Sequence, residues 1–64
     1  MKKVTLKFMD NPQTGKVFAR NNEGKMCFLH HNYEDTIEAG ETHECEVIIE
    51  ESSYNIVVPI KNTI

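Results

Sequence analysis

Tryptophan is absent from this 64-residue chain, proline and cysteine occur twice each, and glycine three times. So little proline and glycine excludes collagen-like and low-complexity architectures, and 39% hydrophobic with 27% charged residues excludes a disordered tract. Two cysteines, Cys27 and Cys45, are too few for the disulfide frameworks of small secreted domains. No apolar run approaches the roughly 18 residues of a spanning helix; Ile56-Val57-Val58 already ends at Pro59. No phosphate-binding loop appears, and no nucleophile has an assigned base, so the chain reads as a binding protein and not an enzyme. The length predicts one domain over residues 1–64, and the composition predicts a soluble, cytoplasmic protein with no membrane partner.

Basic residues are missing from one stretch altogether. Residues 26–51 carry eight carboxylates, Glu34, Asp35, Glu38, Glu41, Glu44, Glu46, Glu50 and Glu51, and no Lys or Arg. Residues 1–25 carry a net +4, and the whole chain −3, so the molecule is expected to be electrically two-sided. A local basic face can steer a polyanion even when the total is negative.

What is present is alternation. Val4, Leu6 and Phe8 share one face of a first strand, with Lys3, Thr5 and Lys7 on the other. Asp10 to Gly15 concentrates turn formers and predicts a loop. Residues 16–20 and 25–30 flank Asn21-Asn22-Glu23-Gly24, the composition of a tight antiparallel connection, and predict a hairpin. Asn32 to Glu41 is too short and polar for more than one helical turn. Residues 44–50 send Cys45, Val47 and Ile49 inward and Glu44, Glu46 and Glu50 outward. A fifth strand would place Tyr54, Ile56, Val58 and Ile60 on its buried side, with Pro59 confining it to an edge or a frayed end. Five short strands with one apolar face each predict an all-β fold, a small five-stranded OB-like barrel.

The hairpin has a second face that needs a purpose. With Val17, Ala19, Cys27 and Leu29 inward, Lys16, Phe18, Arg20, Met26, Phe28 and His30 face out. The opposite register would bury Lys16 and Arg20 while exposing Val17, Cys27 and Leu29. Aromatic rings interleaved with cations are what a single-stranded nucleic acid needs, since bases stack on the rings while the cations follow the phosphates.

The segments Gly15-Lys16-Val17-Phe18-Ala19, Gly24 through His31, Ile37-Glu38-Ala39-Gly40-Glu41 and Glu44 through Ile49 resemble the OB-fold RNA-binding domain of the ribosomal-protein S-one type and, more faintly, TRAM domains. That resemblance implies an RNA face in which Phe18 stands as the outward aromatic of the second strand and His30 as the histidine of the third. The family also carries acidic and basic residues late in the domain, whereas Glu51-Ser52-Ser53-Tyr54-Asn55 contains no Arg or Lys. The alternative is a protein-interaction module in which Glu44, Glu46 and Glu50 form one outward acidic stripe for a basic partner, acting as a nucleic-acid mimic.

Cys27, His30, His31, His43 and Cys45 supply zinc-type ligands, but Cys27 and His30 fall on opposite faces of a regular strand. Two buried thiols and three surface imidazoles account for them better, so neither a metal nor a cofactor is expected.

Overall fold

The computed structural model describes residues 2–60, and these form an all-β domain. Six strands make one antiparallel and parallel sheet: β1 (Lys2–Lys7), β2 (Met9–Asn11), β3 (Lys16–Arg20), β4 (Met26–Leu29), β5 (Thr42–Glu50) and β6 (Tyr54–Pro59), in the order β1-β5-β6-β4-β3-β2. All neighbours are antiparallel except β4 and β6, which run parallel. One 3₁₀ turn, His31–Tyr33, accounts for the helical turn expected after residue 31. No helix among the described residues is long and apolar enough to cross a membrane.

Four expectations need correction. The first is the strand count, because Asp10 and Asn11 pair with Val17 and Lys16 instead of looping out. The reversal is compressed into Pro12–Gly15, where the Asn11 carbonyl accepts from the Thr14 and Gly15 N–H groups and the Asn11 Oδ1 from Gln13 N–H. Gly15 takes φ +73°, a left-handed angle that glycine adopts without strain. Second, the sheet is open: β1 and β2 are its two outer strands, although only Phe8 separates them in the chain.

The third correction is the facing of β6. Asn55 and Val57 are buried, whereas Tyr54 is exposed and Ile56, Val58 and Ile60 are only half-buried. The parallel ladder decides this, since Asn55 lies opposite Cys27 and Val57 opposite Leu29, both core residues of β4. β6 is also an interior strand, and Pro59 is tolerated as its last residue. Fourth, Ile49 is 45% exposed because a β-bulge between Val47 and Ile49 adds a residue to β5 and reverses its alternation from there on.

The core is Leu6, Phe8, Ala19, Cys27, Leu29, Ile37, Cys45 and Val57, with Val4, Val17, Tyr33 and Val47 packed against it. Phe8, outside every ladder yet fully buried, anchors the bend between β1 and β2, and its N–H and C=O bond to the Glu41 carbonyl and the Gly40 N–H.

Candidate nucleic-acid interface

The site begins with the turn that sets the register of the hairpin. Asn21 Oδ1 accepts from the N–H groups of Glu23 and Lys25, each at 2.9 Å, and Gly24, at φ +82°, donates to the Asn21 carbonyl. This closure pairs Arg20 with Met26, Ala19 with Cys27 and Phe18 with Phe28. Ala19, Cys27 and Leu29 are thereby buried, and the side chains between them are turned to the outer face, as the sequence predicts.

Following the register across the sheet extends that face well beyond the hairpin. Met9 lies opposite Phe18, Phe18 opposite Phe28, Phe28 opposite Ile56 and Ile56 opposite Ile49. Five outward apolar residues on five strands therefore form one row, about 19 Å long at the usual ~4.8 Å strand spacing. Phe18, Phe28 and Ile56 are half-buried, while Met9 and the bulge residues Ile48 and Ile49 are exposed. A second row, Arg20–Met26–Tyr54, runs beside the first, and the Tyr54 ring meets Phe28 edge-on at 6.0 Å between centroids.

On the opposite flank stand Lys16 and His30. Lys16 Nζ lies 3.2 Å from a Glu34 carboxylate oxygen, whereas Arg20 makes no ion pair among the described residues. His30 precedes the 3₁₀ turn and caps it, its Nδ1 accepting from Asn32 N–H at 3.2 Å. Its ring meets the His31 ring at a tilt, 4.2 Å between centroids, and meets Tyr33 edge-on. With Nδ1 accepting, the ring proton sits on Nε2, which donates to no group among the described residues. Thus Lys16, Phe18, Arg20, Met26, Phe28 and His30 are all brought to one face.

The sequence reading missed Met9, Ile48, Ile49, Tyr54 and Ile56. Met9 was recoverable, since the residue after an inward Phe8 in extended chain points out. The others depended on the bulge and on the β4–β6 register, which leave no mark in β5 or β6 themselves.

The acidic stripe does not survive intact. Glu44 and Glu46 face out opposite Thr5 and Lys3, but Glu50 lies beyond the bulge, opposite buried Asn55, with an oxygen 3.0 Å from Lys2 Nζ. Hydrogen bonding and charge from Lys2 hold the Glu50 carboxyl below its ordinary pKa, and Glu50 in turn raises Lys2. A hydrogen bond to His43, 3.0 Å away, likewise lowers the Glu41 carboxyl.

Cys27 and Cys45 are free, fully buried thiols. Burial raises both, Cys45 to about 11 with smaller contributions from Cys27 and Glu44. Among the described residues no three His, Cys, Asp or Glu side chains form a metal-binding set. No protein-family model, curated protein or solved structure matches the chain.

Proposed function

We propose that this chain is a cytoplasmic module that binds single-stranded nucleic acid, RNA in preference, on the outer face of β3 and β4, and that it does so without catalysis. The observation that carries this reading is the directly opposed outward pair Phe18 and Phe28 in the middle of an apolar row, with Arg20, which makes no ion pair among the described residues, beside it. Two partly exposed rings offer stacking surfaces to successive bases, and Arg20 is positioned to follow the phosphates. Reduced Cys27 and Cys45 suit a reducing compartment.

The topology supports an OB-like barrel as the scaffold. β1 and β2 are halves of one segment bent at Phe8, the first half pairing with β5 and the second with β3. Counted as one bent strand, they reduce the six strands to five, the number an OB-like barrel has, with β4 and β6 parallel. The resemblance to S-one-type RNA-binding domains rests on the short sequence segments.

Fluorescence anisotropy with a labelled single-stranded RNA, its DNA counterpart, the duplex and a basic peptide tests the proposal. Single-strand binding should exceed duplex binding, and Phe18→Ala or Phe28→Ala should each weaken it by about 5- to 150-fold, the equivalent of ~1–3 kcal/mol per stacked base. Full affinity in both variants, or capture of the basic peptide alone, would remove the reading.

A further inference from the structure

We infer that the groove beside Phe28 receives a guanine base, read on its donor edge by Glu34; this rests on the single-strand reading above and names the base that the platform prefers. The groove has a volume of about 440 Å³, within the usual range of small-ligand sites. Phe28, Ile49 and Ile56 give it an apolar lining, His30 and His31 add imidazoles, and Glu34 supplies its carboxylate.

Three features of Glu34 separate it from a solvated surface acid. Its side chain is about two-thirds buried, at 31% exposure. Lys16 holds one carboxylate oxygen at 3.2 Å, which fixes the group and offsets its charge. The other oxygen accepts no hydrogen bond among the described residues, although Glu34 also lines the neighbouring cleft between Phe18 and Phe28. A half-buried, positioned acceptor beside an aromatic ring is suited to the edge of a base whose face lies on that ring.

The chemistry of the edge selects the base. Guanine alone presents two adjacent donors, N1–H and the N2 amino group, which match a carboxylate in the two-point geometry that strengthens charged hydrogen bonds. Its O6, next to those donors, needs a donor from the protein, and the Nε2–H of His30 lies in the same groove. Uracil sets a single N–H between two carbonyls, and adenine and cytosine each set one amino donor beside a ring-nitrogen acceptor. Any of these three would leave an acceptor facing the carboxylate. The layout also keeps phosphates away from Glu34, because Arg20 stands on the other side of the row.

The test is an anisotropy titration of the full chain against a seven-nucleotide all-uridine RNA and the same RNA with one central guanosine or inosine. The guanosine RNA should bind at least tenfold more tightly than all-uridine, with inosine, which lacks the N2 amino group, in between. Glu34→Gln, shown to be folded by its thermal melt, should lose most of that preference. Equal binding of the guanosine and uridine RNAs by the unaltered chain overturns the inference, as does a preference retained in Glu34→Gln. An equal gain for both RNAs in that variant also overturns it, by showing that Glu34 only repels phosphate. If the preference is absent but Phe28→Ala still weakens binding, the platform stands and guanine selection alone falls. If the unaltered chain binds neither RNA, both fall.

Discussion

At the scale of single residues, Asn55 is the least expected member of the interior. It is 4% exposed; among the described residues its Oδ1 has no hydrogen-bond partner and its Nδ2 reaches only the Cys27 sulfur at 4.0 Å. A buried unpaired acceptor costs ~1–3 kcal/mol. Asn55→Val, apolar, suited to a strand and only slightly larger, should therefore raise stability by about 1 kcal/mol and the melting temperature by roughly 4–8 °C. A lower melting temperature would mean that the amide is satisfied in solution. Cys45 gives a prediction with pH. Its thiol titrates near 9.0 when unfolded and about 11 when folded, so the folded state holds the proton longer. The stability this contributes is intact below pH 9 and is lost as pH rises toward 11, about 3 kcal/mol in all. Cys27, also raised by burial, acts in the same direction. Denaturant melts should show the decline, and Cys45→Ala should flatten it; an equal slope in that variant would assign the loss to other groups.

At the scale of elements, the β3–β4 hairpin was legible because three independent signals agree there. Alternation, an Asn/Gly turn and the cost of burying Lys16 and Arg20 all select one register, and the structure has that register. β6 was not legible, because Tyr54, Ile56, Val58 and Ile60 outnumber Val57 as an apolar set. What fixes its face is a parallel partner 28 positions away, Cys27 opposite Asn55. The bulge in β5 was equally silent, since Val47-Ile48-Ile49 is apolar whichever way it turns. The candidate site was accordingly half visible: its aromatic and basic centre lies on the hairpin, and its aliphatic end depends on β5 and β6. The bulge can be checked directly. Ile49→Thr should change stability by no more than ~0.5 kcal/mol, as expected at an exposed position. A loss above 1 kcal/mol would return Ile49 to the core.

At the scale of the whole molecule, the separation of charge along the chain is partly undone by pairing. Lys2 meets Glu50, Lys16 meets Glu34, and Lys3 stands opposite Glu46, so much of the basic N-terminal charge is held against the acidic half. Arg20 is outside these pairs. In salt titrations of RNA binding, Arg20→Gln should flatten the logarithmic slope by about 0.7, the value for one phosphate contact on a single strand. Lys16→Gln should change it less, and the reverse order would place the strand on the Glu34 side of the row. The topology also sets a folding rate. Lys2 pairs with Val47 and Met26 with Tyr54, so most of the sheet waits on distant encounters. Stopped-flow refolding should fall in the millisecond-to-second range typical of small all-β domains, not in microseconds.

The bend at Phe8 carries a hazard as well as a scaffold. The strands on either side of it are the two whose outer backbone groups could recruit another chain, and a single buried ring keeps them turned toward one another. Loosening that ring frees both templates at once, so a Phe8→Ala population would be expected to assemble into strand-exchanged oligomers or fibrils before it loses its remaining sheet. Light scattering that rises ahead of the far-ultraviolet transition would be the signature, and its absence would show that the freed segments guard themselves.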